Sequence, residues 1–508
     1  MNTARNIATD IAAQLQQAGY MAVFAGGSVR DSFLGLEPKD FDIATNATPE
    51  QIKSVFQGDT VLCVGEAFGV VVVVRGGENI EIATFRGDGQ YGDGRRPDDV
   101  KLLTGVDPIE ALKEDAARRD LTVNAMFLDP VSGVLYDFFG GRNDIDSRTL
   151  RAVGDAEARF AEDRLRMLRV ARFAAKLDFT VEPALMKALK KNADKLMPGL
   201  IVSWERIARE LEGILLSRSP VVGLELLRES GLLQQFLPEM AEMVGPSAMQ
   251  DPIWHPEGSA WTHTMMVLAE AAKEVAMEEG DNARSFEFML GVFLHDIAKP
   301  RTMTTRVEVM DGKDGAAGKQ EVVRISNFGH AEVGAVMAKD ICRRLKLSAD
   351  ITNRVSEIVR LHMQMHDMAD PSIRRSKLVK LMERSDILDL IRMQHCDVMG
   401  TGRSLAERQA SSHRAYYLAL REKLAACQSP SQRLGAEALV TGKQIKEMGF
   451  KPGPVFRIIK DAAFEAQHDG VFTDAAGASK WLKENAERLA SSPEPVAAGP
   501  TAGSKHCC

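Results

Sequence analysis

Near residue 150 the chain changes character, and that break limits the folds open to it. Before it, "TVLCVG" and "GVVVVVRGG" are continuous valine-rich runs with glycine at their ends. In "NIEIATFR", Ile80, Ile82 and Thr84 alternate with Glu81 and Ala83. Short apolar runs and strict alternation predict strands, here of one small sheet. After the break, "DAEARFAEDRLRMLRVARFAAKL" carries Phe160, Leu165, Leu168, Ala171, Ala175 and Leu177 with charge between them, which predicts a helix. Helical patterns continue to about residue 490. The expected fold class is α+β: a sheet-containing head over 1–150, a helical neck over 151–218, a helical body over 219–425 and a helical tail over 426–490. Residues 491–508, rich in Pro, Ala and Gly, read as a disordered end. A chain of 508 residues has room for such a division.

Composition narrows the class. Hydrophobic residues make up 45% and charged ones 27%, as in a soluble globular chain. No apolar run approaches the roughly eighteen residues of a membrane span. The first twenty residues read as an amphipathic helix without a signal-peptide core. Six scattered cysteines form no disulfide framework, which suggests a reducing, cytoplasmic setting. The terminal Cys507-Cys508 pair reads as incidental or metal-scavenging thiols. The net charge of −7 argues against a general nucleic-acid coat but leaves room for a local basic surface. Residues 148–218 supply one, with 15 Lys and Arg against 10 Asp and Glu.

The densest chemistry lies in "GGSVRDSFLGLEPKDFDIAT", Gly26 to Thr45. An apolar strand, "MAVFA", runs into Gly26 and Gly27, and a short helix ending at Gly35 follows. "FDIAT" then resumes as a strand. Residues two apart on a strand share a face, so Asp40 and Asp42 point the same way. Like charges held that close need a neutralising partner. Mg²⁺ favours carboxylate oxygens supplemented by substrate phosphate, and a glycine turn before a helix offers N–H groups to that phosphate. The competing reading is a solvated acidic edge. Glu81 brings a third carboxylate to this edge or faces solvent. "GDGQYGDGRRPDDV" reads as a mobile loop, with Arg95 and Arg96 free to meet triphosphate or RNA. At "KEDAARRDLTVNAMFLD", a helix through Arg118 or Arg119 precedes a strand "TVNAMFL"; an arginine there meets a phosphate or pairs with Asp120. In the neck, Asp163, Arg166, Arg169 and Arg172 recur every three residues along a helix surface.

Seven of the ten histidines fall between His255 and His395. His263 stands near a helix start, His295 and Asp296 end an apolar helix, and His330 opens another. His362, His366 and Asp397 follow. Imidazole and carboxylate together suit a transition metal. Lys443 and Lys451 flank a glycine-rich turn in the tail that is suited to an RNA backbone.

Six stretches, "GGSVRD", "DFD", "FRGDGQYGDGRRPD", "RRDLTVNAM", "EDRLRMLRVARFAAKL" and "ERIAREL", resemble in order the class II CCA-adding enzymes of the poly(A) polymerase head-domain superfamily. The resemblance covers roughly residues 20–215. It implies a nucleotidyltransferase head with a small mixed sheet, followed by helical neck, body and tail. It implies that Asp40 and Asp42 hold Mg²⁺ for two-metal nucleotidyl transfer; Glu81, read from the strand alternation alone, is the candidate third catalytic carboxylate. Gly27, Arg30 and Arg119 match nucleotide contacts, as do Arg169 and Arg172. Asp163 and Arg166 match side chains that read the base of CTP or ATP, both of which carry an exocyclic amine for Asp to accept from. The partners implied are tRNA, ATP and CTP, with no membrane and no DNA. Relatives that add only CC tend to lack an intact flexible loop, and this loop sequence is intact. CC-adding, A-adding and poly(A) polymerase relatives remain the alternatives. The histidines resemble an HD-domain metal phosphohydrolase, with His263, His295, Asp296 and Asp397 as metal ligands for Ni²⁺, Co²⁺ or Mn²⁺. His330 and His362 match positions serving a second metal in some members. An HD phosphohydrolase as the main activity is a further alternative.

Overall fold

The computed structural model describes residues 3–491 except Lys39, 64–67, 88–100, 277–284, 312–318, 368–380, Glu383 and 426–437. Arg95, Arg96 and Cys507-Cys508 lie outside the described residues. The chain forms two compact units: Met1–Ala241 with Ile341–Ser348, and Glu242–Asp340 with Ala349–Cys508.

The first unit opens with α1 (Thr3–Gln17), whose Ala8, Ile11, Ala12 and Leu15 are fully buried, as an amphipathic helix requires. The strands are β1 (Ala22–Ala25), β2 (Ile43–Thr45), β3 (Thr60–Leu62), β4 (Val70–Arg75) and β5 (Glu78–Thr84), then a small side pair, β6 (Arg86–Gly87) and β7 (Lys101–Leu102), and finally β8 (Met126–Leu128) and β9 (Leu135–Asp137). The main sheet runs β3-β4-β5-β2-β1-β8-β9. It is mixed, because β2 lies parallel to β5 while its other pairings are antiparallel. Ile80 and Ile82 are buried and Glu81 is exposed, as the alternation predicts.

The helices of this unit continue as α2 (Gly27–Phe33), α3 (Pro49–Val55), α4 (Pro108–Ala117), α5 (Gly141–Asp146), α6 (Ala156–Glu162), α7 (Arg166–Leu177), α8 (Pro183–Asn192) and α9 (Trp204–Leu215). Three local expectations change. Asp40 and Asp42 precede β2 rather than sit within it, although the Ala25 N–H still donates to the Asp42 carbonyl (3.0 Å). "TVNAMFL" is a strand only from Met126; Thr122–Asn124 form a 3₁₀ turn, pinned where the Thr122 hydroxyl donates to Asp144 (2.5 Å). The neck helix is two helices. Asp163 has extended backbone (φ −143°, ψ 107°), and its carboxylate accepts from Leu165 N–H (3.0 Å), so the row of charged residues every three positions begins afresh at Arg166.

The second unit is helical, with a two-stranded antiparallel hairpin of Thr304–Asp311 and Lys319–Ser326. Its site-bearing helices are Ala260–Ala276, Phe286–Leu294, His330–Arg344, Ala349–Asp367 and Ile387–Met399. Phe286–Leu294 buries every residue except Glu287 in its first turn, as a helix largely enclosed by others does. The helices Gly442–Glu447, Pro454–His468 and Ala475–Ser491 enclose a small core around Ile445, Ile459, Ala463 and Leu482.

Candidate active sites

In the first unit, β1 leads into Gly26, whose φ of +64° suits glycine, and a Cβ there would lie 2.8 Å from Arg119 Nη1. The close approach seats Arg119, which donates to the Asn124 carbonyl (2.9 Å), pairs with Asp115 (3.2 Å) and lies over the Phe127 ring. α2 then turns Arg30 inward to 2% exposure, where it donates to Asn124 Oδ1 (2.6 Å) and pairs with Asp31 (2.6 Å). Phe41 is 2% exposed and packs on Phe24, while Asp40 and Asp42 on either side of it are exposed. Because Ile43 pairs with Ile82 in parallel register, Asp42 comes beside Glu81. The Asp42 carboxyl is raised from 3.8 to about 6 by the protein packed around it, then by Glu81 and Asp40, against the pull of Arg119. An all-oxygen acidic edge that resists its own charge fits a hard divalent cation.

These groups open into a cavity of about 690 Å³ whose walls include Gly27, Arg30, Asp42, Glu81, Arg119, Asp163, Arg166, Arg169 and Arg172. Nearly every sequence-predicted residue of the head and neck therefore reaches one space; Asp40 is not among its walls, although its charge acts on Asp42. How the neck arginines are held was not readable from their spacing. Arg169 pairs with Asp120 (2.6 Å), Arg172 with Glu210 (2.6 Å) and Arg166 with Glu162 (2.6 Å), while Arg166 also donates to the Arg118 carbonyl (2.8 Å). Asp163 is paired with Arg206 (2.7 Å). Arg206, Arg209 and Glu210 come from α9 and also line the cavity; they escaped individual notice because "ERIAREL" reads as an ordinary amphipathic helix. The suggested partner of an arginine at the 118–119 junction, Asp120, instead serves Arg169.

Burial alone would raise the Asp120 carboxyl. Arg169, Asn124 and the Leu121 N–H outweigh burial and hold it down at about 2. A depressed carboxylate contributes stability that is complete above its unfolded value and lost as pH falls through the folded value. Asp120→Asn is therefore expected to lower stability at pH 7 by on the order of 2 kcal/mol, with the deficit shrinking below pH 4. Urea unfolding at several pH values measures it, and a pH-independent deficit would assign the loss to packing instead.

In the second unit, His295 and Asp296 follow the end of Phe286–Leu294, where the chain turns and frees both side chains. His263, His295, Asp296, His330, His362 and Asp397 converge, all 9% exposed or less. His263 Nε2 lies 2.8 Å from Asp397, His295 Nε2 3.2 Å and His330 Nε2 3.4 Å from Asp296, and the Nε2 atoms of His330 and His362 stand 3.2 Å apart. Each ring is fixed through its other nitrogen: His263 Nδ1 by Glu257 (2.8 Å), His295 by Val292 O (2.8 Å), His330 by Asn327 O (2.8 Å) and His362 by Val359 O (2.7 Å). That arrangement orients metal-ligating imidazoles. His295 Nε2 and Asp296 Oδ2 are buried without a hydrogen bond, although Lys299 pairs with Asp296 (2.7 Å). Three groups here, His255–Glu257–His263, His263–His295–Asp296 and Asp296–His330–His362, bring ligand atoms within metal-binding reach; His263 belongs to the first two and Asp296 to the last two. Burial, then His330 and His295, pushes His362 down to about 3, so it is a neutral donor. Burial also opposes charge on His263, but Asp397 and Glu257 outweigh it and raise the ring to about 9. Glu257, Lys299 and His366, which pairs with Asp397 (2.8 Å), were missed as site residues; only the histidine crowding signalled the last.

Residues 22–151 match the poly A polymerase head domain, 178–244 the probable RNA- and SrmB-binding site of polymerase A, and 260–426 the HD domain. The chain thus carries, in order, segments similar to a poly A polymerase head domain, to its RNA-binding segment and to an HD domain. Its similar proteins are CCA-adding enzymes. That of Geobacillus thermodenitrificans is 42% identical over 46% of this chain and 55% of its own length. That of Limosilactobacillus reuteri is 38% identical over 52% of this chain and 63% of its own length. The chain thus spans little more than half the length of the curated relatives it matches. The crystal structure of the Bacillus stearothermophilus CCA-adding enzyme in complex with CTP is 25% identical, with a TM-score of 0.63 over 96% of this chain and 99% of that one.

Proposed function

We propose that this protein adds C, C and A to the 3′ end of tRNA, taking CTP and ATP as substrates in the cytoplasm. The observation that carries the reading is the single cavity in which an acidic sheet edge, an arginine-rich wall and the Asp163/Arg166 pair meet. The CTP complex of the similar Bacillus stearothermophilus enzyme supports it. Arg30 and Arg119 neutralise the triphosphate. Asp163 accepts from the exocyclic amine of cytosine or adenine, and Arg166 donates to the neighbouring base acceptor. The terminal ribose hydroxyl attacks the α-phosphorus in line, and pyrophosphate leaves. Asp40, Asp42 and Glu81 would hold Mg²⁺, which supplies charge neutralisation at the attacking and leaving oxygens.

Incubating the protein with tRNA lacking CCA and each labelled NTP in turn tests the reading. Growth by C residues with CTP alone, and one further A when ATP is added, is expected. CC alone, A alone or a long A tail would each select the corresponding relative instead. Asp163→Ala is expected to let UTP or GTP compete, because base choice rests on polar groups that go unpaired with the wrong base. Lower speed with unchanged selectivity would make Asp163 structural.

A second reading concerns the other unit. Six inward-facing, mostly buried imidazole and carboxylate groups with tethered rings support a metal phosphohydrolase, with Ni²⁺, Co²⁺ or Mn²⁺ on His263, His295, Asp296 and Asp397. Such a metal supplies a hydroxide nucleophile near neutral pH. The suited substrate is a phosphate or 2′,3′-cyclic phosphate left at a tRNA end.

A further inference from the structure

We propose that Arg403 is the phosphate-binding side chain of the histidine–aspartate site, gripping the non-bridging oxygens of a phosphate ester presented to the cluster; this rests on the metal-site reading of that cluster. The cluster opens into a cavity of about 140 Å³ that Arg403 shares with Trp254, His255, Asp296, Lys299 and Asp397. Two cationic side chains line that cavity besides histidine, and they differ in their partners. Lys299 is taken by Asp296 at 2.7 Å and by Gln250. Among the described residues no carboxylate pairs with Arg403. Glu407, the acid that feels its charge, is engaged by the hydroxyl and N–H of Ser404 at the start of its own helix. The guanidinium donates from Nη2 to Ser411 Oγ (3.0 Å), lies 6.0 Å from the Trp254 ring centroid, and keeps a buried Nε without a partner. An aromatic face and a neutral hydroxyl hold the fork without neutralising it, so its charge and remaining donors are free for an anion.

The backbone ties this arginine to the cluster. Arg403 follows the helix Ile387–Met399, which carries Asp397. Its neighbour Gly402 donates its N–H to Glu257 Oε2 (2.8 Å), and the other oxygen of Glu257 meets His263 Nδ1 (2.8 Å). A Cβ at Gly402 would stand 3.0 Å from the Glu257 backbone nitrogen, which leaves little room for a side chain at this crossing. One carboxylate therefore sets both a ring of the cluster and the loop that bears Arg403. A small cavity walled by a metal cluster and a forked cation suits a terminal or cyclic phosphate, whereas the head cavity is several times larger.

Co²⁺-loaded full-length protein provides a readout that needs no turnover, because visible absorption of Co²⁺ on imidazole ligands reports only this site. Orthophosphate is titrated with Mg²⁺ and CTP present to occupy the head. Arg403→Gln is expected to raise the phosphate midpoint about tenfold, the loss of a charge-assisted bidentate contact. Co²⁺ affinity should be unchanged, and Arg403→Lys should fall between, with charge kept and the fork lost. In hydrolysis of 2′,3′-cAMP, KM should rise more than kcat falls, and nucleotide addition to tRNA should be unaltered, which also checks folding. A normal Co²⁺ spectrum with an equal midpoint in wild type and Arg403→Gln, or with no response to phosphate, overturns the assignment. Failure to take up Co²⁺ removes the metal-site reading and this proposal with it.

Discussion

Asp42→Asn is expected to cut nucleotide incorporation by about three orders of magnitude, the scale of removing several kcal/mol of charge stabilisation from a transition state. The same substitution should leave metal-free stability equal or raised. Asp42 sits beside Glu81, and its carboxyl is raised to about 6 by the protein packed around it and by the charges of Glu81 and Asp40. Neutralising it relieves repulsion, and asparagine keeps the shape. Loss of function with no loss of stability separates a ligand from a structural acid. Chain-extension assays on tRNA lacking CCA, beside thermal melts in EDTA, measure both. Incorporation near the wild-type rate would remove the acidic edge from the mechanism.

The second large effect belongs to the histidine cluster. Asp296→Ala should end divalent-metal-dependent hydrolysis of 2′,3′-cAMP and the rise in melting temperature that Ni²⁺ or Co²⁺ gives, while CCA addition continues. Its cost to folding is separable. Asp296 is 1% exposed and faces Lys299, itself 7% exposed, so alanine alone strands a buried ammonium at about 3–5 kcal/mol. Asp296→Ala with Lys299→Met should recover most of that stability and none of the hydrolysis. A double variant that regains activity, or a wild type inert with every divalent metal, would falsify the hydrolase reading.

What the sequence could show followed from periodicity and proximity along the chain. The alternation of Ile80 and Ile82 against Glu81 was legible because apolar residues two apart leave one face of the strand for the core. The strand face expected to carry both Asp40 and Asp42 was not found, because β2 begins only at Ile43. The break at Asp163 was not legible, because "RFAEDRLRML" carries no glycine or proline. The helix gives way there to a local Asp163–Leu165 hydrogen bond and to Arg206, more than forty positions away. The 3₁₀ turn at Thr122–Asn124 was hidden for the same reason: "LTVNAMF" has β-prone composition, and Asp144 and Arg151 hold the turn from a later segment. The histidines announced themselves by number. Glu257 and Lys299 did not, since a glutamate near a helix and a lysine beside a proline have no distinctive pattern until the fold surrounds them.

The return of Ile341–Ser348 to the first unit bears on how the protein is made. Within that segment Arg344 grips Glu239 through two 2.8 Å hydrogen bonds and lies over Trp204. A ribosome releases the chain from its N-terminus, at about 5–20 residues per second. The first unit therefore emerges nearly whole at Ala241, then waits several seconds for a strap encoded a hundred residues later. During that interval Trp204 and Glu239 lack their closing partner, and a nascent chain arrested between the two points should be more open to protease there than the finished protein.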